Sequence, residues 1–399
     1  MRAPSLQLPE GTLRVPGSDP EEFRLGALRI EVRRHLGSID VVLHNTGEQE
    51  CEFPGLLLIW EASCPVAWLG GGTAMVAAAD GASTWRMLSG WCQEAREPGD
   101  GPVARLFGDS VRLAPGQRVW SRWRREESVD GFPLPGWVPQ HRHLPEGVAL
   151  EFTDLDVALS GQGLEFETTG TGTLIHGTPG IHRLTVHGPT GDTELEVGWY
   201  RPLPDLVAAA LAGGETGAGV RAWLLSWAVT QSSAELDERL LDRLDTALAA
   251  ALERPCLFGV LAGLRAAATT ELPVRQEAIQ AARALLASEQ ETEEGAFVLV
   301  AALLSGHPEL ARGFPPPTVT ATRQELLGLL EYGLPSSVAP GYTARDVARA
   351  QLWLMSHPET AQHLAVAEVT AAARARLTCV ASQDVDPVQV AWLLLGEVL

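Results

Sequence analysis

The chain has 399 residues, 45% of them hydrophobic and 20% charged, which supplies enough apolar surface for sizeable cores and excludes both a single small module and a disordered polymer. Its 50 acids and 30 bases give a formal net charge of −20, which argues against sequence-independent nucleic-acid binding and against anionic membranes, since both need a basic surface. All of the bases are arginine and Asn45 is the sole asparagine, a bias we attribute to a GC-rich genome.

The absence of lysine removes Schiff-base chemistry and lysine-based phosphoryl transfer. It also disqualifies Gly70-Gly71-Gly72-Thr73 as a phosphate cradle, because a P-loop needs Gly-Lys-Ser/Thr after its glycines. Residues 1–22 are polar and rich in proline and acid, without a basic segment followed by an apolar one, and no run approaches the roughly 18–20 apolar residues of a membrane span. The expected location is cytoplasmic. Cys51, Cys64, Cys92, Cys256 and Cys379 are widely spread and form no C-x-x-C pair, so they read as reduced thiols rather than as zinc ligands.

Up to about residue 203, short β-favouring runs alternate with Gly, Pro and Asp turns. Leu28–Val32 and Ile39–Leu43 are predicted as neighbouring strands joined through His35–Ser38. After the turn His44-Asn45-Thr46-Gly47 comes Leu56–Trp60, a continuous apolar run suited to a buried strand. Val111–Leu113 ends in a Pro-Gly turn, after which Arg118–Arg125 restarts in alternation. The proline-rich stretch Phe132–Pro145 reads as a linker. Beyond it, Val148–Phe152, Leu164–Glu167, Leu184–His187 and Leu195–Trp199 fit a small immunoglobulin-like module. The spacing therefore predicts an antiparallel β-sandwich domain over 1–145 and a second β module over 146–202.

The remainder, 203–399, is predicted to be α-helical. Apolar segments Trp223–Val229, Leu257–Leu264, Phe297–Leu304 and Ala350–Met355 are each followed by a marker: Ser233–Leu236, Thr269–Leu272, His307–Leu310 and His357–Thr360. The glutamates Glu235, Glu271, Glu309 and Glu359 within these markers suit the first turn of a new helix, where an acid favours the dipole. Each unit then reads as a helical hairpin, and stacked hairpins give an open α-solenoid or, as the second choice, a closed α/α toroid. Gly313–Pro317 and 333–341 interrupt the repeat, and Val388–Val398 closes the chain.

Candidate sites follow from these patterns. Period-two alternation sets Arg118, Trp120, Arg122 and Arg124 on one strand face and Val119, Ser121 and Trp123 on the other. Arginines around an exposed indole can hold a phosphate, a carboxylate or a sugar. The insertion Phe314–Asp346 contributes Tyr342, Arg345 and Asp346 as further binding candidates. His141 and His143 share a strand parity, but no acid or cysteine completes a metal shell, and no metal or cofactor is expected. No G-x-S-x-G elbow or activated cysteine supplies a nucleophile. Asp154 and Asp156 share one strand parity, yet no catalytic residue is assigned.

Gly306-His307-Pro308-Glu309-Leu310, Gly333-Leu334-Pro335, Gly341–Asp346 and Leu352-Trp353-Leu354 resemble the helical core of six-hairpin glycosidases such as glycogen-debranching enzymes, over about 60 residues. That likeness implies an α/α barrel behind a β-sandwich and a carbohydrate ligand, met by Trp120 or neighbouring indoles and by Asp346. The sequence departs from it in offering fewer and shorter helices. The primary expectation is accordingly a non-catalytic binding or adaptor protein that presents a helical-repeat surface to a protein partner, with a carbohydrate-active protein as the alternative.

Overall fold

The computed structural model describes residues 4–8, 13–14, 21–35, 37–60, 66–70, 73–77, 83–90, 92–94, 103–108, 110–127, 142–153, 157–188, 191–213, 216–231, 238–288, 295, 297–298, 310, 343–356 and 361–398. Antiparallel β-sheets occupy the N-terminal part and α-helices the C-terminal part. The chain divides into two compact units, the first built on Met1–Trp199 with Glu359–Ala373, the second on Tyr200–Thr322, Tyr342–Pro358 and Arg374–Leu399.

In the first unit, a seven-stranded sheet runs in the order Glu21–Leu25, Leu28–His35, Ser38–Asn45, Arg118–Glu127, Ser83–Ser89, Thr73–Ala77 and Val66–Gly70, with antiparallel pairing throughout. A five-stranded sheet places Leu56–Ile59 between Val103–Leu106 and Ser5–Gln7. One hydrophobic cluster draws on both, with Ile30, Val41, Leu43, Val119 and Trp123 from the first sheet and Leu6, Leu56, Leu58 and Leu106 from the second. Trp123 lies 5.1 Å from Trp60 between ring centroids and donates its Nε1 proton to Ser121 Oγ at 3.0 Å. The one polar side chain on the buried face of that strand is thereby satisfied.

A separate cluster follows between 143 and 200. Ile175, Leu184, Val197 and Trp199 form its centre, and the strands Gly180–Gly188 and Gly191–Tyr200 pair along their whole length. Trp199 donates its indole proton to the Val148 carbonyl at 2.7 Å. His143 is buried, and its Nε2 lies within hydrogen-bond distance of Glu196 Oε1 at 3.1 Å. Among the described residues no group of His, Cys, Asp and Glu could hold a metal ion.

Eight helices are described in the C-terminal part: α1 Leu203–Ala212, α2 Ala218–Gln231, α3 Glu238–Glu253, α4 Leu257–Thr269, α5 Arg275–Ser288, α6 Ala344–Ser356, α7 Ala361–Gln383 and α8 Pro387–Val398. Helix α3 buries Leu244, Ala247, Leu248 and Ala251, the i, i+3, i+4, i+7 stripe of an amphipathic outer helix. Helices α2 and α4 are buried on all sides over Ala222–Trp227 and Leu257–Leu264, as inner helices are. Gly219 allows them to approach: a Cβ there would lie 2.4 Å from Cys256 Sγ and 3.1 Å from the Gly259 nitrogen. Helix α8 packs on α6 and also on α1 and α2, and Trp223 of α2 donates its indole proton to the Ala391 carbonyl. None of the described helices is long and apolar enough to cross a membrane.

The marker after α4 differs from its expected role. Thr270 caps the end of α4, its backbone N–H and its hydroxyl both donating to the Ala266 carbonyl, and Glu271 lies in the loop before α5 begins at Arg275. A threonine hydroxyl reaches a terminal carbonyl as readily as it caps a helix start, so this motif stops one helix instead of opening the next. Glu235, Glu309 and Glu359, like Cys64, His141, Asp154, Asp156 and all of 314–342, lie outside the described residues.

The sole asparagine holds three segments of the first unit together. Asn45 is fully buried; its Nδ2 donates to the carbonyls of Gln49 at 2.7 Å and Leu113 at 2.8 Å, and its Oδ1 accepts the Gly47 N–H at 2.9 Å. Its backbone bonds to Gly116 and Gln117 on the turn before Arg118. Asn45→Ala strands a buried N–H and two carbonyls and is expected to cost about 2–4 kcal/mol, read as a lowered urea midpoint of the β-sheet transition by circular dichroism. Asn45→Asp keeps only the acceptor and is expected to do no better.

Candidate functional site

The strand Arg118–Glu127 is central in its sheet, hydrogen-bonded to Ser38–Asn45 on one side and Ser83–Ser89 on the other. Val119, Ser121 and Trp123 are buried, whereas Arg118, Trp120, Arg122 and Arg124 are exposed. Trp120 is 56% exposed, an unusual state for a large indole in mid-sheet. Two neighbours leave it uncovered. Gly90, at φ +97°, has no side chain and packs against the backbone of Trp120 and Ser121, where a Cβ would lie 2.9 Å from the Trp120 carbonyl oxygen. On the other side the register partner is Val42, too short to cover a ring. Leu88, on the strand ending at Ser89, adds a second exposed apolar side chain.

The surrounding charges come from four strands whose outward positions alternate with core residues. Ser38–Asn45 contributes Asp40 and His44, Leu28–His35 contributes Arg29, Glu31 and Arg33, and Glu21–Leu25 contributes Glu22 and Arg24. Each carboxylate is held by arginine. Asp40 accepts both forks of Arg122, Nε to Oδ1 at 2.7 Å and Nη2 to Oδ2 at 2.9 Å. Glu31 accepts from Arg29 at 2.9 Å and from Arg33, and Glu22 accepts from Arg29 at 2.8 Å and from Arg24. Arg118 is exposed and makes no ion pair among the described residues.

These pairs shift the titrating groups. The hydrogen bond from Arg33 is the leading cause that holds the Glu31 carboxyl below its usual range, with the charges of Arg29, Arg33 and Arg118 adding to it against burial. Burial, then the positive charges of Arg118 and Arg29, lower the His44 pKa, with Glu31 opposing; its Nδ1 is buried without a hydrogen-bond partner. The bond to Asp40 raises Arg122. The outer face is thus a cationic field around one exposed indole, on a chain whose net charge is −20. Such a face can hold an anion by guanidinium forks and a flat ring by stacking. Cys51 and Cys92 belong to the core side, and burial pushes both thiols up.

The other sequence candidates fall in the helical unit. Asp346 caps α6: its Oδ2 accepts the Thr343 N–H and the Thr343 hydroxyl, each at 2.8 Å, and its Oδ1 meets Arg349 at 3.4 Å. This carboxylate satisfies helix donors. Arg345 lies 5.4 Å from the ring centroid of Trp392, which is itself packed edge-on against Phe258 at 4.9 Å. Tyr342 lies outside the described residues. What sequence reasoning missed were Asp40, His44 and the neighbouring Arg29 and Glu31. The alternation Leu28-Arg29-Ile30-Glu31-Val32 carried the signal for the last two.

No protein-family model matches the chain, and comparison with curated proteins gives no match. Among solved structures the chain is similar to a polysaccharide lyase at 11% identity, with 93% of this chain and 74% of the other covered and a TM-score of 0.40.

The depressed His44 pKa sets a pH dependence. Between the lowered folded value and the ordinary 6.5, the unfolded chain binds the extra proton, so stability falls as pH drops below about 6.5. Urea midpoints taken from about pH 7.5 down to about pH 5 are expected to decline less steeply in His44→Gln than in the unaltered protein.

Proposed function

We propose that the chain is a non-catalytic binding protein whose recognition surface is the outer face of the seven-stranded sheet, where the arginines around Trp120 take an anionic ligand. The observation that carries it is the exposure of Trp120 on a cationic face, two positions along the strand from Arg118, which makes no ion pair among the described residues while Glu22, Glu31 and Asp40 are each paired with other arginines. A mid-sheet indole contributes more to stability when covered, so leaving it open suits contact with something else.

We read the two sheets of residues 1–145 as leaves of one β-sandwich, residues 146–202 as a second, immunoglobulin-like module, and 203–399 as helical hairpins. The packing of α8 on α1 and α2 favours a closed α/α arrangement over an open solenoid. A catalytic role for Asp346 is not part of the proposal, because both of its oxygens serve the start of α6.

A second reading keeps the adaptor role of the helices. A groove of about 430 Å³ between α1, α2 and α3, floored by Val207, Leu211, Trp227 and Leu240 with Arg243 at its edge, suits an apolar helix of a protein partner.

Calorimetry at low salt with polygalacturonate, polyglutamate and oligodeoxythymidine tests the sheet face. At least one is expected to bind, Arg118→Glu to weaken it by about tenfold, and Asp346→Ala to leave it unchanged while lowering thermal stability. Absence of binding to all of them, or undiminished binding by Arg118→Glu, contradicts the proposal.

A further inference from the structure

Resting on the sheet-face reading above, we infer that the ligand is a carboxylated sugar chain, a polyuronate, bound along the strand Arg118–Glu127 with one ring stacked on Trp120 and its carboxylates on the flanking guanidinium groups.

The row has a fixed chemistry and spacing. Outward side chains of a strand recur every ~7 Å, so Arg118 and Arg122 stand one step to either side of the indole. A ligand lying along this row must be apolar in its middle and anionic on both sides. A uronate polymer has that alternation: the C–H face of each pyranose packs on an indole, and each ring carries a planar carboxylate that accepts a bidentate fork. Arg118 has open donors for it. Arg122 offers the edge of its guanidinium beyond the two nitrogens held by Asp40, and that pair fixes its direction so that little side-chain entropy is lost on binding.

Two other polyanions fit less well. An acidic peptide places flexible carboxylates on the arginines but has no rigid ring for Trp120, and the half-buried Val42 opposite the indole would gain nothing from it. A single-stranded nucleic acid would stack a base there. Platforms for such strands present successive aromatics along a continuous basic groove, whereas this face has one indole among its described outward residues and three carboxylates already set between its arginines.

The test compares polygalacturonate, its fully methyl-esterified neutral form, polyglutamate of matched charge and oligodeoxythymidine by calorimetry on the full chain, with Trp120→Ala, Trp120→Phe and Arg118→Gln alongside the unaltered protein. Polygalacturonate is expected to bind at least about tenfold more tightly than each of the other three. Trp120→Ala is expected to remove most of that margin while leaving polyglutamate binding as it was, and Trp120→Phe to restore part of it. Arg118→Gln is expected to narrow the gap between the acid and its methyl ester. Equal affinity for polyglutamate, tighter binding of the oligonucleotide, or equal loss for all ligands in Trp120→Ala overturns the uronate assignment while the anionic sheet face stands. Failure of every polyanion to bind removes the sheet-face reading as well.

Discussion

The register of one strand governs the first unit. Arg118–Glu127 is bonded on both edges, and its period-two alternation sends Val119, Ser121 and Trp123 inward and charged side chains outward. A slip by one residue would drive arginines into the core beside Trp60 and expose Trp123, so the alternatives are steeply disfavoured. Asn45 reinforces that register from the turn just before the strand, and the Arg122–Asp40 fork locks the pairing from the outer side, where Arg122 stands directly opposite Asp40. The face that carries Trp120 is therefore a consequence of core packing: whatever secures Trp123 inside also holds Trp120 outside.

Local charge on this face runs against the chain as a whole. An acidic surface elsewhere keeps like-charged ligands away, while the arginines of Glu21–Leu25, Leu28–His35 and Arg118–Glu127 gather positive potential in one place. The carboxylates within that patch do not cancel it, because Glu31 is shared between Arg29 and Arg33, and Glu22 between Arg24 and Arg29. They act as spacers that hold long guanidinium side chains in defined positions, which lowers the entropic cost of meeting a ligand.

Much of this was legible before any coordinates. The strand boundaries around Leu28, Ile39 and Arg118, the outward row Arg118, Trp120, Arg122 and Arg124, and the change to helix near 203 all follow from periodicity, which is a local property. Asp40 was not, because its role depends on a partner 82 residues away in the chain, and a lone aspartate between apolar residues gives no local cue. Gly90 was equally silent, since its effect arises only where it packs against the backbone of Trp120 and Ser121. Asp346 is the instructive opposite case. Thr343-Ala344-Arg345-Asp346 is a T-x-x-D capping pattern, so its structural role could have been read directly. The Thr269–Leu272 marker misled for a related reason, as threonine serves either end of a helix and only the fold decides which.

The most direct measurement of the central claim is fluorine NMR of the protein labelled with 5-fluorotryptophan, titrated with oligogalacturonate. The Trp120 resonance is identified by its disappearance in Trp120→Phe. That resonance is expected to move on addition of ligand while those of the buried Trp60, Trp85 and Trp123 stay in place. A Trp120 signal that holds still while Trp227 or Trp392 of the helical unit shifts would contradict the account.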